Sequence, residues 1–552
     1  MTWGEKVVLS SISVIIRLFF IIGSHSLFTL LDQRLRLLIQ NKTHVLLREN
    51  LTGLEKESLR VTPQGRISQQ MHPKVLGAAL THPSITTDYS EAMLEFITPP
   101  LPQAYKALDY LIDIETFVYQ NLNNEFLWTT SMPCVIQGEE DIRIAEYGSS
   151  NAGRMKSVYR HGLAWRYGKM MQVISGIHFN HSFAESFWPP YQALEKKQGN
   201  LQAFINQSYM ATTRNIQRYG WLIPYLFGSS PAICKSFLAG TAKPENMRFF
   251  NKNTCYEPYG TSLRMGDIGY TNRKESEAGI KANYNSLAEY IHSLREAINT
   301  PFKAYEKIGV KVDGVYRQLN ANLLQIENEY YSTVRPKQIL QGLEKPVDAL
   351  EQRGIRYIEL RSIDINAFHP AGLTHKQLYF LEVFMLFCLL QESPEVSALE
   401  RKAIDENQSL VAHQGRKPDL ALSCDGNKVL LTDWASELIN KMLPVAELLN
   451  QVHQEECYVK SVASHLDLVK HPELTPSARI LEEMFSNNES YYEFARRKSQ
   501  EHRDIFLRRT LPSASETEFT QLAEKSIQQQ KHLEISDQQH FEQFLARYFS
   551  TF

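Results

Sequence analysis

The sequence predicts an α+β fold built on a mainly antiparallel sheet. Three observations support this prediction: strand-like segments with alternating polar and apolar residues, helical segments that do not alternate regularly with those strands, and the absence of an internal repeat. A regular alternation of strand and helix would instead indicate a parallel sheet. With 552 residues, of which 43% are hydrophobic, the chain can bury a large core.

Acidic residues mark one face of several predicted strands. The segments are 53–61, 88–98, 323–331 and 357–365, and the residues that share a face are Glu55 with Glu57, Glu91 with Glu95, Glu327 with Glu329, and Glu359 with Arg361. Residues two apart in a strand point to the same side. A buried carboxylate is costly unless it is paired or binds a cation. This pattern therefore indicates a divalent metal such as Mg²⁺ and, with it, phosphate chemistry.

The remaining elements follow from hydrophobic spacing. Helical spacing is found at 101–124, 204–227, 286–307, 340–350 and 373–392, and strand character at 171–179 and 309–331. We expect an apolar extension at 1–40 (a helix, with a membrane anchor as the alternative), a catalytic sheet-and-helix core at 41–392, a surface excursion at 393–436 where periodicity is lost, and a helical region at 437–552 that packs on the core.

The N-terminal segment is compatible with two cellular locations. Residues 7–31 are long enough to span a bilayer, but Arg17 near the middle would cost roughly 3 kcal/mol. Six scattered cysteines without a CxxC spacing are typical of free thiols in a reducing cytosol. We expect a cytoplasmic protein, with inner-membrane association through 7–31 as the alternative.

Composition and motifs exclude several function classes. The net charge is −2 and no basic domain stands out, which argues against a nucleic-acid partner. The Gly/Ser loops at 147–154 and 227–232 are not Walker A loops, because no GKS or GKT follows. We interpret both as turns with a helix N-cap. No GxSxG elbow or Cys–His pair indicates covalent catalysis.

Each candidate residue also has an ordinary structural interpretation. Glu55 with Glu57 could form a solvated sheet face. Arg361 could form a salt bridge with a neighbouring strand or a bidentate phosphate contact. Arg264 could clamp a substrate carboxylate or lie at the surface beside a turn. His178 lies in 171–180 on the same side as Gln172, so it is either a core residue or part of a substrate pocket.

These segments, taken together, resemble the bacterial monofunctional glutamate–cysteine ligases. The matching segments are GLEKESLRV (53–61), THPSITTDYSEAMLEFITPP (81–100), SMPC (131–134), YGSSNAGRMKSVYRHGLAWRYG (147–168), QVISGIHFN (172–180), PYLFGSSPAIC (224–234), TSLRMGDIGYTN (261–272), LQIENEYYSTVRPK (324–337) and YIELRSIDINAFHPAG (357–372). So many long strings in one order make the resemblance specific. It is looser beyond residue 372, and the first thirty or so residues have no counterpart in the family pattern.

The resemblance implies a fold and a reaction. The fold would be related to glutamine synthetase, with a curved, mainly antiparallel sheet that forms a funnel-shaped active site and helices packed outside. ATP would phosphorylate the γ-carboxylate of glutamate, and the amine of cysteine would then displace phosphate to give γ-glutamylcysteine, the first step of glutathione biosynthesis. ATP would be the co-substrate, with two or three Mg²⁺ ions or Mn²⁺ in their place, and the protein would be a monomer.

The resemblance also implies roles for individual residues. The metal ligands would be Glu55, Glu57, Asp88, Glu95 and Glu359. Arg361 would contact the transferred phosphoryl group, with His178 and Gln172 near glutamate or the reacting centre. Arg264 would bind a substrate carboxylate, and the cysteine pocket would contain Tyr159, Arg160, Tyr270 and Tyr331. The alternatives are a related ligase that uses another amine, and a membrane-anchored protein that binds metal or ligand without catalysis.

Overall fold

The computed structural model describes residues 29–133, 135–238, 247–269 and 281–550. The described strands are β1 (Leu51–Val61), β2 (Ile85–Thr87), β3 (Met93–Ile97), β4 (Phe126–Leu127), β5 (Ile177–Ser182), β6 (Ala232–Cys234), β7 (Arg248–Asn251), β8 (Thr254–Tyr256), β9 (Lys311–Val312), β10 (Val315–Tyr316), β11 (Val334–Lys337), β12 (Tyr357–Ile363), β13 (Ala421–Cys424) and β14 (Asn427–Leu430).

The described α-helices are α1 (Leu30–Gln40), α2 (Ala104–Asn121), α3 (Asn151–Tyr167), α4 (Trp188–Leu194), α5 (Leu201–Tyr219), α6 (Leu222–Phe227), α7 (Leu287–Asn299), α8 (Lys303–Glu306), α9 (Pro346–Arg353), α10 (His375–Leu390), α11 (Ala398–Gln414), α12 (Leu431–His453), α13 (Cys457–Lys470), α14 (Pro476–Ser486), α15 (Tyr491–Arg508), α16 (Ser513–Ser536) and α17 (Phe541–Ser550).

A seven-stranded sheet organises the described residues. Its order is β11-β12-β5-β1-β3-β2, with β4 paired to β1, and each of these neighbouring strands is antiparallel to the next. Strands and helices do not alternate along the chain, as the sequence predicted. The α+β prediction with a mainly antiparallel sheet is therefore confirmed.

Strand β1 separates two environments because its side chains alternate. Glu55 and Glu57 share one face, and Lys56 points to the other. On that second face, helix α2 packs against β1, and Lys56 Nζ lies 2.8 Å from Glu115 Oε1 of the helix. The central strand thus directs carboxylates to one side of the sheet and a paired cation to the other.

Helix α10 forms the centre of the hydrophobic core on the helical side. It is apolar around most of its circumference, as expected for a helix that is covered on all sides. Helices α2, α5, α12 and α13 pack around it. Its capping box, in which Thr374 and Gln377 exchange hydrogen bonds, fixes its first turn just after the site strand β12.

One of the predicted acidic strands is wrong and another is right only in its second half. In 88–98, residues 93–97 form β3 with Glu95, but Glu91 lies in the preceding turn and accepts hydrogen bonds from the backbone N–H groups of His72 and Glu146 at 2.8 and 2.9 Å. Residues 323–331 are irregular apart from a 3₁₀ turn at Glu327–Glu329. Glu91, Glu327 and Glu329 accept from backbone N–H groups outside the sheet, so alternation alone did not identify a strand there.

Other predicted boundaries also shift. The predicted helix at 204–227 is two helices, α5 and α6, separated near Gly220. The predicted strand at 309–331 reduces to the short hairpin β9–β10, and the strand predicted from 171 begins only at Ile177, after a 3₁₀ turn at Met171–Val173. Residues 393–436 contain helix α11 and the hairpin β13–β14.

The N-terminal prediction is only partly within the described residues, because 1–28 lie outside them. Helix α1 packs on the core through Leu31, Leu35 and Leu38, and Arg34 forms an ion pair with Glu195 at 2.7 Å. Within the described ranges, no helix combines the length and apolar character that a membrane span requires.

The expectation of six free thiols is wrong for Cys234, which is disulfide-bonded.

Candidate active site

Strands β1, β5 and β12 bring an acidic cluster to one face of the sheet. His178 Nδ1 lies 2.9 Å from Glu55 Oε2 and 3.5 Å from Glu359 Oε1. The strand register explains the contact, because Glu55 is the cross-strand partner of His178 and Glu359 is the partner of Asn180. Ligand atoms of Glu55, His178 and Glu359 all lie within 4.8 Å of one another.

Glu57 and Glu95 extend the cluster along β1 and β3. The two residues are cross-strand partners. Glu57 Oε2 accepts a hydrogen bond of 2.7 Å from the backbone N–H of Gly176, and Glu57 Oε1 lies 3.8 Å from His178 Nε2. Asp88 follows β2, at the end of the same sheet. All five acids predicted as metal ligands therefore lie on or beside neighbouring strands.

Cations line the β11–β12 edge of the cluster. Arg361 Nη1 donates to Glu359 Oε1 at 3.0 Å, and Lys337 Nζ lies 3.6 Å from Glu359 Oε2. Arg335 is the cross-strand partner of Glu359 and is buried. Positive charge thus gathers on one side of the carboxylates, where an anionic phosphate could approach.

The pKa values of these carboxyls diverge with their surroundings. Burial raises the pKa of Glu57, and burial together with the charges of Asp88, Glu55 and Glu57 raises that of Glu95 well above its usual range. Burial opposes ionisation of Glu359 as well, but Lys337, Arg361 and His178 hold its pKa well below the ordinary value. Glu359 is thus balanced by its cationic neighbours, whereas Glu57 and Glu95 carry raised pKa values.

The donor set fits a hard divalent cation. Two buried oxygens at this face, Glu359 Oε2 and Asn180 Oδ1, accept no hydrogen bond within the described residues. Both are oxygen acceptors, the ligand type that Mg²⁺ prefers. A bound cation would also offset the burial and the neighbouring negative charge that raise the pKa values of Glu57 and Glu95. Glu55, Glu359 and their neighbours could therefore hold metal.

A small cavity lies beside the acidic cluster. Its volume is about 60 Å³, and it is lined by Arg264, Met265, Tyr331, Ser332, Thr333 and Arg361. Tyr331 donates a hydrogen bond of 3.0 Å to Gln172 Oε1, while the buried Gln172 Nε2 has no hydrogen-bond partner among the described residues. Arg264 Nη2 donates to the Arg361 carbonyl at 2.8 Å. Three predicted site residues, Arg264, Tyr331 and Arg361, thus line one cavity, and Gln172 contacts one of them.

Arg160 and Tyr159 lie on helix α3. Arg160 Nε donates to the carbonyl of Asp88, and its guanidinium lies 4.6 Å from the ring centroid of Tyr147. Burial, with the nearby Tyr331, raises the pKa of Tyr159 well above its usual range. Tyr270, the remaining predicted pocket residue, lies outside the described residues.

The Gly/Ser loops differ in their roles. Ser150 is the N-cap of α3, where its side chain accepts from the Gly153 N–H at 3.2 Å, as predicted. The interpretation of 227–232 as an N-cap is wrong, because this segment follows the end of α6. Ser229 and Ser230 instead donate to the carboxylate of Asp364.

Sequence reasoning assigned no individual role to Asn180 and did not select Lys337. Asn180 Nδ2 donates to Glu55 Oε1 at 2.8 Å, and Lys337 lies beside Glu359. Alternation puts Asn180 on the same side as His178, and it could also have found Lys337, which is two residues after Arg335 in β11. Polar residues in a short strand next to a carboxylate strand are the relevant signal.

Comparisons with known proteins show which family the chain belongs to. The family model described as glutamate–cysteine ligase matches residues 35–411. The chain belongs to the glutamate–cysteine ligase family. Its relatives include the glutamate–cysteine ligase of Alcanivorax borkumensis, 46% identical over 94% of this chain and 99% of the relative, and that of Pseudomonas entomophila, 44% identical over 94% and 97%.

Solved structures place the fold in the same family. The glutamate–cysteine ligase of Francisella tularensis, solved in complex with AMP, matches with a TM-score of 0.85 and 35% identity over 91% of this chain and 97% of that one. A bifunctional glutathione synthetase from Pasteurella multocida matches with a TM-score of 0.70 and 25% identity, over 87% of this chain and 56% of that one.

Proposed function

We propose that this protein catalyses the ATP-dependent joining of the γ-carboxylate of L-glutamate to the amine of L-cysteine, which gives γ-glutamylcysteine, ADP and phosphate. The observation that carries this proposal is the crowded acidic face beside a cavity lined by two arginines. Family membership supplies the substrates, and the geometry supplies the site for phosphoryl transfer.

The first step joins glutamate to phosphate. A γ-carboxylate oxygen of glutamate attacks the γ-phosphorus of ATP, the bond to the bridging oxygen breaks, and ADP leaves with that oxygen. Both reactants are anions, so their repulsion must be reduced. Arg361 is the residue we assign to the transferred phosphoryl group, because a guanidinium matches phosphate oxygens and Arg361 lines the cavity next to Glu359.

Divalent cations complete the charge balance of this step. Glu55, Glu57, Asp88, Glu95 and Glu359 would hold two or three Mg²⁺ ions, or Mn²⁺ in their place. Bound there, the cations would neutralise the phosphate oxygens of ATP. His178 bridges Glu55 and Glu359, and we assign it to orienting those carboxylates at the reacting centre.

The second step consumes the γ-glutamyl phosphate. The cysteine amine attacks the acyl carbon, a tetrahedral intermediate forms, and inorganic phosphate leaves as the amide forms. Gln172 Nε2 offers a buried donor near Tyr331, and we assign both residues to substrate binding with Tyr159, Arg160, Arg264 and Tyr270. An acyl phosphate hydrolyses readily, so an enclosed site protects it from water.

The direct test is ADP release by the purified protein. We expect ADP formation only when Mg²⁺, glutamate and cysteine are all present with ATP. With hydroxylamine in place of cysteine, the acyl phosphate should be trapped as γ-glutamyl hydroxamate. ADP release that needs no glutamate, or no hydroxamate despite turnover, would contradict the proposed intermediate.

A panel of amines tests the nucleophile. Alanine, 2-aminobutyrate and glycine replace cysteine at equal concentrations, with ADP and product measured together. We expect cysteine to give the highest kcat/KM. A far better substrate among the other amines would make the protein a related ligase with a different amine.

A further inference from the structure

Asp364 lies directly after β12 and is almost completely buried, with 1% of its surface exposed. Its Oδ2 accepts from the Ser229 N–H at 2.8 Å and from Ser230 Oγ at 2.6 Å, and its Oδ1 accepts from Ser262 Oγ at 2.9 Å. Burial raises the pKa of Asp364, and these three donors together with Arg264 oppose that rise. A buried carboxylate with so many partners fixes the loops that supply them.

Ser230 and Ser262 connect Asp364 to the segment that carries Arg264. The backbone N–H of Arg264 donates to Ser230 Oγ, and that of Met265 donates to Ser262 Oγ, both at 3.3 Å. The Arg264 guanidinium itself approaches the same carboxylate, with Nη1 3.8 Å from Asp364 Oδ1. Asp364 is therefore linked to Arg264 through both its backbone and its side chain.

Gly176 provides the opposite wall for the guanidinium. A Cβ added at Gly176 would lie 2.0 Å from Arg264 Nη2 and 2.3 Å from Arg264 Cζ. The same glycine donates its N–H to Glu57 of the acidic cluster. The missing side chain at this position thus lets Arg264 lie flat against the strand that carries His178.

We propose that Asp364 and Gly176 are positioning residues that hold the Arg264 guanidinium ready for an α-carboxylate of an amino-acid substrate. The inference rests on the proposed function. It accounts for the hydroxyl of Ser230, which connects the Asp364 carboxylate to the backbone of Arg264. An arginine held in one orientation before the substrate arrives loses less conformational freedom on binding, so its contact yields more affinity.

The test compares substrates with and without the α-carboxylate. 4-Aminobutyrate is glutamate without its α-carboxylate, and cysteamine is cysteine without its own. We measure kcat/KM for each member of both pairs in the wild type, Asp364→Asn and Gly176→Ala. For one pair, we expect the preference for the carboxylate-bearing substrate to fall about tenfold in both variants, because a charged hydrogen bond is misaligned. The pair that responds identifies which substrate Arg264 binds.

Gly176→Ala keeps the proposal testable if Asp364→Asn fails to fold. Gly176 does not have a positive φ, and the added methyl meets the end of a side chain rather than backbone, so the fold should persist. Glu115→Gln is the matched control, since it removes another buried carboxylate with a cationic partner on the opposite face of β1. This control should lower both members of each pair equally, if it lowers them at all.

The outcomes separate the inference from the proposed function. A wild type that makes γ-glutamylcysteine while both variants keep both preferences would overturn the positioning role and leave the function intact. Equal loss on all four substrates would show a merely structural role and would also overturn it. A wild type without ligase activity would overturn the function and the inference together.

Discussion

The two faces of strand β1 differ in how their buried charges are arranged. On the helical face, Lys56 and Glu115 form a one-to-one pair at 2.8 Å, and both are almost fully buried. On the other face, Glu55 and Glu57 join three further acids, and the pKa values of Glu57 and Glu95 are raised there. Adjacent residues along one strand thus belong either to a structural ion pair or to the proposed binding site.

Other buried acids resemble Glu115 rather than the cluster. Glu329 lies 2.8 Å from Arg166, and Glu125 lies 2.9 Å from Arg60. Each of these carboxylates has a cation of its own, which compensates for the loss of hydration. The gathering of five acids on or beside neighbouring strands, two of them with raised pKa values, distinguishes the site, because a bound cation would favour their ionised forms.

Glu57→Gln should have the largest effect. Loss of one ligand of the proposed metal cluster should lower kcat by about 10³-fold, as removal of a key electrostatic contact does. The thermal unfolding midpoint should stay the same or rise, since burial and Asp88 already disfavour the Glu57 charge. Steady-state ADP release and a melting curve check both. A variant with normal kcat would remove Glu57 from the site.

Glu115→Gln should show the reverse pattern. It leaves Lys56 buried without its partner, which should lower the free energy of unfolding by about 3 kcal/mol. The kcat of the folded protein should remain near that of the wild type, because Glu115 lies on the helical side of the sheet, opposite the acidic cluster. Urea unfolding and ADP release measure the two quantities. A large drop in the kcat of the fully folded variant would contradict the claim that only the other face of β1 carries function.

Lys337→Met should have an intermediate effect. Lys337 lies 3.6 Å from Glu359 at the cationic edge, where the phosphates of ATP would approach. Loss of this charge should lower kcat/KM for ATP about tenfold, with little change in stability. Lys402→Met removes a lysine from an exposed pair with Glu406 and serves as the control. Equal behaviour of the two variants would exclude Lys337 from ATP binding.

Substitution of His413 should have the smallest effect, which is a change in how the free energy of unfolding depends on pH. Burial alone would lower its pKa, but Glu257 and Asp267, which contact its two ring nitrogens at 2.9 and 2.8 Å, raise it above 6.5 overall. The charged form is therefore favoured in the folded state. Its stabilising contribution is complete below the unfolded pKa and is lost as pH rises through the folded pKa.

We expect the free energy of unfolding of the wild type to fall across that window relative to His413→Gln. Urea unfolding at a series of pH values measures the difference. Parallel curves for the two proteins would show that His413 is not charged between its two acidic partners.

The sequence anticipated the parts of the site that regular strands carry. Glu55, Glu57, Glu359 and Arg361 lie where alternation placed them, because β1 and β12 are long strands with one covered face. Alternation failed for Glu91, which anchors loops through backbone N–H groups. A loop carboxylate and a strand carboxylate look alike in sequence, since both follow polar and apolar neighbours.

The residues that position the site residues could not be predicted from the sequence. Nothing in the spacing of Ser230, Ser262 and Asp364 predicts that they meet, because they come from three distant segments. The buried character of Gly176 beneath Arg264 likewise depends on the packing of a loop against β5. Local pattern gives the residues on one strand, whereas contacts between segments require the fold.

Mg²⁺-dependent stabilisation tests the central claim most directly. The thermal midpoint is measured against Mg²⁺ concentration for the wild type, Glu57→Gln and Glu115→Gln, because a ligand that binds only the folded state raises the midpoint. We expect a saturable rise in the wild type and in Glu115→Gln, and a much smaller rise in Glu57→Gln. An equal rise in all three proteins, or none in the wild type, would contradict a metal site on the acidic face of the sheet.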